Sequence, residues 1–344
     1  MHILLAGGGH AHALLIRELI KHPQPHIRWS CISDQPHSPY SGMLPGVIAG
    51  HYAPSELMLP LAELCAKASV EFISASISEI HAAAKYVLLI DGRKISFDFL
   101  SLALGATPLL SQTDSRLLPI KPLGGFLQGL HTLNPSATTD VIGGGIASIE
   151  VALALAWRWR AHQPDIRIIS RSPRLLPGHN GLVRRKIQQR LSQAGIRLLT
   201  GVSVDANFPL RSQAIDCSPA AGHPALHKSD IQLQQGFIPV NDFLQNPQFP
   251  WIFAAGDNAH FLSRPLAKAG VYAVREAPFL LHNLLAMQTG TALRTYQPQQ
   301  YFLTLIACGE EYAVASRGYF FASGHWVWRW KNAIDKKFMA SLQS

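Results

Sequence analysis

The stretch Ile3–His12, ILLAGGGHAH, decides the reading of the chain. A short apolar run without charge reads as a buried strand, three glycines as a tight turn, and Ala11 to Lys21 as the helix that follows. Gly7 permits the sharp exit from the strand, and Gly9 lets the backbone approach a pyrophosphate at the positive end of the helix. His12 stands where such a loop normally carries a third glycine for close packing of helix on strand. With His10 it lies in the first helical turn, where a ring N–H would join the donors facing a phosphate. The other reading makes it a satisfied, partly buried histidine.

Working outward, Ile27 to Ser33 supplies the second strand of a βαβ unit. It ends Ile32-Ser33-Asp34, so Ser33 sits where an acid normally grips the adenosine ribose, and Asp34 could substitute from one position later. A loop rich in Pro, Ser and Gly, PHSPYSGMLPG, precedes a predicted helix from Leu57 to Lys67. VEFISASISEI and KYVLLIDGRKISFDFL alternate like strands, with Asp91-Gly92 as a hairpin turn. LSLALGATP, containing Gly105, closes this lobe.

The pattern then restarts. DVIGGGIASIEVALALAWRW is a second strand, glycine turn and helix, IRIIS is its next strand, and 136 positions separate Gly7 from Gly143. In this loop Gly143 and Gly145 occupy the glycine places and Ser148 the third. Its second strand ends Ile169-Ser170-Arg171, again without an acid, and Arg171 and Arg174 follow. A missing acid with nearby arginines suits a 2′-phosphate, so NADPH is as good a candidate as NADH; the rival reading is a site that has drifted and binds neither well. One imperfect glycine loop is weak evidence, but two, followed by a strand ending at Gly256-Asp257 (WIFAAGDNAHF), are much stronger. An aspartate there can accept hydrogen bonds from ribityl hydroxyls.

These segments predict an α/β protein with two Rossmann-like, three-layer dinucleotide-binding domains and a small C-terminal α+β segment. The first domain is discontinuous, residues 1–110 and 236–295; the second spans 111–235; the C-terminal segment is 296–344. In its final helix Trp326, Val327, Trp330, Ile334 and Phe338 are expected on one side and Arg329, Asn332 and Lys336 opposite, with Lys331 and Lys337 intruding.

Bulk composition narrows the classes. With 344 residues, 48% of them hydrophobic, the chain can bury a large core. Four scattered cysteines (Cys31, Cys65, Cys217, Cys308) argue against a disulfide framework or a metal site and for a reducing, cytoplasmic compartment. No targeting segment or membrane-spanning run is evident. The net charge of +9 concentrates between Arg158 and Arg197, where ten Lys/Arg face one acid, Asp165. That cluster would suit nucleic acid, an anionic surface or a phosphorylated cofactor, but no nucleic-acid-binding motif accompanies it.

GGGHAH, PYSGMLPGVIAGHY, FDFLSLALGATP, FAAGDNAHF, KAGVYAVREAP and WVWRWKNAIDKKFM together resemble the two-dinucleotide-binding-domain flavoproteins of the pyridine nucleotide-disulfide oxidoreductase superfamily. The resemblance is to the type II NADH dehydrogenase-like branch, and most of all to the FAD module fused to selenide, water dikinase. It implies FAD on the first loop, with Gly105 among the cofactor-binding residues, and NAD(P)H as electron donor on the second. It also implies that a loop with His12 is a variant of that branch. Glu150 would face the nicotinamide, unless it is an ordinary helix-start acid favoured by the dipole. Lys268-Ala269 would open a helix aimed at the flavin pyrimidine ring, where the cation stabilises the reduced form; otherwise Lys268 is a solvated helix-start lysine.

PYSGMLPG stands where disulfide reductases carry paired cysteines and contains none, so electrons are expected to pass directly to a quinone-like acceptor. Tryptophans with basic neighbours in the last helix would suit peripheral contact with the cytoplasmic face of a membrane, or packing on the protein or on a homodimer partner. Two alternatives accompany this enzyme reading: an accessory or sensor flavoprotein linked to selenium metabolism, and a soluble reductase of a small protein carrier.

Overall fold

The computed structural model describes residues 1–108, 114–205 and 207–343. Its first sheet is wholly parallel, in the order Ile252–Ala254, Phe99–Leu102, His2–Ala6, Arg28–Ser33, Glu71–Ser74. From Ile3 to Ala6 the central strand is apolar because parallel strands are covered on both faces; Ile3, Leu4 and Leu5 have no exposed surface. Each contributes about 1.5–3 kcal/mol of burial. Helix His10–Lys21 packs against helix Gly270–Thr289, and the antiparallel strands Ile77–His81, Tyr86–Leu89 and Lys94–Ser96 share the same core. The Asp91-Gly92 turn joins the last two, with Gly92 at φ +85°.

The second sheet repeats the layout: Leu117–Pro119, Gln213–Asp216, Thr139–Ile142, Ile166–Ser170, Arg197–Thr200, all parallel. Its central strand again runs into the glycine turn and helix Ile146–Arg158. Two strands carry the chain between the lobes, Ala106–Pro108 outward and Ala220–Gly222 back, paired antiparallel. Beyond the return crossing, Ala225, Leu226 and Ile231 pack in the first core.

Two sequence expectations change. The helix read from Leu57 to Lys67 is a 3-10 turn (Pro54–Leu57), a short strand (Met58–Leu59) and a helix confined to Leu61–Lys67. Pro60 imposes the break, since the residue before a proline is driven to extended backbone. The final helix, His325–Gln343, follows the antiparallel strands Thr304–Ala307, Ala313–Arg317 and Phe320–Gly324. Its expected single apolar face is divided: Val327, Met339 and Leu342 are buried, whereas Trp326, Trp330 and Ile334 stay 55%, 38% and 41% exposed. The body of the protein takes Lys331 and Asp335 inward instead, satisfied by hydrogen bonds to each other and to Gly42 and Tyr40. No described helix is long and apolar enough to cross a membrane.

Candidate functional site: two glycine turns and a Gly-Asp tip

Both glycine turns are shaped by the same contacts. The Gly7 N–H donates to Ile32 O and the Gly143 N–H to Ile169 O, each at 2.8 Å, tying the loop to the next strand. Gly7 has φ +99° and a Cβ there would lie 2.4 Å from Ala103 O; Gly143 has φ +136° and its Cβ would lie 2.6 Å from Cys217 O. Neither position can carry a side chain. Gly145 differs, because a Cβ there meets nothing within 4 Å among the described residues. Glycine at that position leaves open room directly before a helix whose first turn has no side-chain cap and no acid, the arrangement that receives an anion.

The two histidines of the opening loop separate. His12 is fully buried, its Nδ1 paired with Gly7 O at 2.7 Å and its Nε2 with Ser101 Oγ at 2.8 Å. The imidazole therefore bonds the loop to the neighbouring strand from beneath, as the satisfied-core reading expects, and burial pushes its pKa down to about 4. His10 packs edge-on to Tyr40 and beside Phe338, and its Nε2 is shielded from solvent with no hydrogen-bond partner among the described residues. Ser33 turns toward the loop, 3.1 Å from where a Gly8 Cβ would stand, while Asp34 is exposed.

The Gly256-Asp257 tip meets the first loop's side of the sheet. Gly256, at φ +63°, donates its N–H to Glu276 Oε2 at 2.6 Å. Glu276 is 1% exposed and desolvation raises it to about 7. Asp257 is ion-paired with Lys121. Asn258, wholly buried, accepts from Leu104 N–H and donates to Gly105 O at 2.7 Å, fixing the Gly105 turn at φ +76°. Lys268 is no freely solvated lysine: its Nζ donates to Ala259 O at 2.6 Å and lies 3.8 Å over the Phe237 ring. Burial lowers it to about 8 against the opposing pull of Asp257 and Glu276. Ala269 caps the helix beginning at Gly270.

At the second loop, Ser148 Oγ donates to Gly145 O at 2.9 Å and is buried, a structural use of the third-glycine place. Ser170 Oγ stands 2.3 Å from where a Gly144 Cβ would be. Arg171 and Arg174 are exposed just past it. Four of the surrounding basic cluster are already engaged: Arg167 with Asp140, Arg190 with Glu310, Arg197 with Asp165, and Arg158 with the Val47 and Ile48 carbonyls. Glu150 is not in the first turn of its helix, so a dipole-favoured helix-start acid is ruled out. It accepts the Ala307 N–H at 2.9 Å, and desolvation raises it to about 7 despite the charge of Lys331.

Lys121, Glu276 and Asn258 are the residues the sequence reading missed. Asn258 had a signal, standing next to Asp257; Lys121 and Glu276 had none, being brought in from remote segments.

Comparison with known proteins matches this geometry. Residues 1–209 fit the family model described as pyridine nucleotide-disulphide oxidoreductase. An NADH dehydrogenase-like protein of Mycobacterium tuberculosis is 29% identical over 237 residues, covering 60% of this chain. The match spans 59% of that relative's length. A sulfide-quinone reductase of Aquifex aeolicus is 31% identical over 107 residues, 30% of this chain and 24% of that protein. Among solved structures, the Aquifex aeolicus sulfide:quinone oxidoreductase superposes with a TM-score of 0.83 at 19% identity, covering 99% of this chain and 91% of that one. NDH2 from Plasmodium falciparum in complex with NADH gives 0.79 at 15% identity, covering 98% and 97%. With a family model matching more than half its length, the chain belongs to the pyridine nucleotide-disulphide oxidoreductase family.

Proposed function

We propose that the protein is an FAD-dependent NAD(P)H oxidoreductase that passes electrons to a quinone-like acceptor without a redox disulfide. The observation that carries this is the convergence of the first glycine turn, the Gly105 turn and the Gly256-Asp257 tip at one end of the first sheet, repeated in simpler form at the second. The residues fit a flavin dinucleotide: Gly7 and Gly9 form the turn before the helix, Asp257 offers a carboxylate to hydroxyls, and His10 Nε2 is a shielded ring nitrogen awaiting a partner. Bound flavin and nicotinamide supply the hydride chemistry; the protein supplies binding, orientation and electrostatics.

In this reading Ser33 and Asp34 lie at the adenosine ribose, and Lys268 with the Ala269–Gly270 helix start holds the ring edge that becomes negative on reduction. Gly143, Gly145 and Ser148 frame the NAD(P)H site. Exposed Arg171 and Arg174, with Ser170 in the acid's place, favour NADPH. Glu150 holds a proton near neutral pH beside the C-terminal strand Thr304–Ala307. The segment equivalent to the dithiol presents Tyr40, hydrogen-bonded to Asp335, in place of thiols. Support for the quinone-like acceptor comes from the relatives, one a sulfide-quinone reductase and one NADH dehydrogenase-like.

The test is anaerobic. Purified, yellow protein is expected to bleach in the visible flavin band on addition of NADPH or NADH and to recover colour with a quinone; no bleaching with either nucleotide would overturn the reading. Asp257→Ala is expected to purify with its flavin lost.

A further inference from the structure

The second sheet has a crevice of its own. In chain order its strands run from Thr139–Ile142 out to Ile166–Ser170 and Arg197–Thr200, then return on the other side of Thr139–Ile142 as Gln213–Asp216. Where the chain parts to both sides of a central strand, a parallel sheet receives its ligand across the carboxyl ends of the strands. Gln213–Asp216 ends level with the glycine turn. Asp216 is in register with Ile142, the Cys217 N–H donates to Ile142 O at 2.8 Å, and Cys217 O is the atom that a Gly143 Cβ would strike.

Two polar side chains at this strand tip have bonding capacity unused. Asp216 is 1% exposed and curls over the end of its strand, its Oδ1 accepting the Ser218 N–H at 2.8 Å. Its Oδ2 and the Ser218 Oγ are both shielded from solvent and have no hydrogen-bond partner among the described residues. Packing alone gives no reason for such a pair, because an apolar side chain would fill the same space without stranding a polar atom. Topology indicates what would meet them. On the far side of the turn, Ile166–Ser170 ends at the place of the adenosine ribose, and the turn itself faces the pyrophosphate. The Asp216 side is left for the other end of the dinucleotide. Its ribose hydroxyls and carboxamide N–H donate hydrogen bonds, and its carboxamide oxygen accepts one.

We infer that Asp216 and Ser218 bind the nicotinamide riboside half of NAD(P)H, Asp216 Oδ2 accepting from the ligand and the Ser218 hydroxyl completing the contact. The inference rests on the reading of the second glycine turn as the nucleotide site, and deepens it by separating the residues that hold the two ends of the dinucleotide.

The experiment uses the flavin-loaded protein, as wild type, Asp216→Asn and Ser218→Ala. Asparagine keeps an oxygen for the Ser218 N–H and puts an N–H donor in place of Oδ2. Binding is measured by calorimetry with tetrahydro-NADH and tetrahydro-NADPH, which donate no hydride, and with ADP, which lacks the nicotinamide riboside; melting temperatures are taken without nucleotide. Expected for Asp216→Asn is a Kd about tenfold weaker for the tetrahydro dinucleotide that wild type binds, with ADP unchanged and the melting temperature not lowered. Ser218→Ala should weaken the same ligand about threefold. Wild type that binds the dinucleotide alongside an unchanged Asp216→Asn overturns the inference alone. Dinucleotide and ADP weakened equally, with a lowered melting temperature, also overturn it, because the pair then only shapes the strand end. Wild type that binds neither tetrahydro dinucleotide overturns the reading of the nucleotide site itself.

Discussion

At the scale of single residues, burial decides what the titratable groups can do. His12 is locked between Gly7 O and Ser101 Oγ in its neutral form. Its folded pKa of about 4 lies below the unfolded 6.5, so the stability it confers is present above pH 6.5 and is lost as pH falls through 6.5 toward 4. His12→Ala is expected to destabilise the protein by about 2–4 kcal/mol at pH 8, through the lost ring volume and the stranded Ser101 hydroxyl. It should also flatten the acid limb of the melting-temperature profile. Glu276 acts with the opposite sign. Raised to about 7 from an unfolded 4.5, its contribution is complete below pH 4.5 and is lost as pH rises through 7. Glu276→Gln keeps an acceptor for the Gly256 N–H, so at pH 8 the flavin-free variant should be more stable than wild type, by at most about 3 kcal/mol. Urea unfolding at pH 5 and pH 8 checks both signs. The His12 position was legible in the sequence, but its partner Ser101 lies 89 residues away and only the folded sheet supplies it.

At the scale of elements, the two glycine turns look alike in sequence and differ in what surrounds them. Gly7 and Gly143 are held at positive φ against carbonyl oxygens of the adjacent strand connections, Ala103 and Cys217. Gly145 faces open space. Gly7→Ala is therefore expected to lower stability by well over 1 kcal/mol, or to prevent accumulation of folded protein. Gly145→Ala should leave the melting temperature near that of wild type while weakening NAD(P)H binding, read as a higher dissociation constant in nucleotide titrations. Unchanged nucleotide affinity in a folded Gly145→Ala protein would count against that loop as the nucleotide site. The glycine spacing alone could not separate these cases, because it does not show which carbonyl or which empty volume each Cβ would meet.

At the scale of the whole molecule, the C-terminal segment links the lobes, its strands meeting the second and its helix the first, and the helix leaves one stripe unused. Tyr40, Gly42 and Tyr52 of the first lobe bond Asp335, Lys331 and Asn332 of the helix, and His51 bonds Gly309. Its outer side carries Trp326 and Trp330, stacked with centroids 6.3 Å apart, then Ile334, with Arg329, Lys336 and Lys337 exposed around them. Aromatic rings bordered by basic residues suit the interface of an anionic bilayer. The double variant Trp326→Ser/Trp330→Ser should keep its melting temperature, since these rings are outside the core, yet lose co-sedimentation with anionic vesicles. Equal sedimentation of variant and wild type would reject membrane contact through this stripe.

The sequence by itself determined the two strand–glycine–helix units, the Gly-Asp tip and the family, because local backbone demands and apolar periodicity are written in adjacent residues. Tertiary structure alone decided that His12 is a core bond, that His10 Nε2 has no hydrogen-bond partner among the described residues, that Lys121 crosses between lobes to Asp257, and that the final helix buries a Lys–Asp pair while exposing Trp326 and Trp330. Each of these depends on which distant group comes to fill a polar atom's remaining valence or an apolar surface, and that is fixed only when the sheets and helices pack.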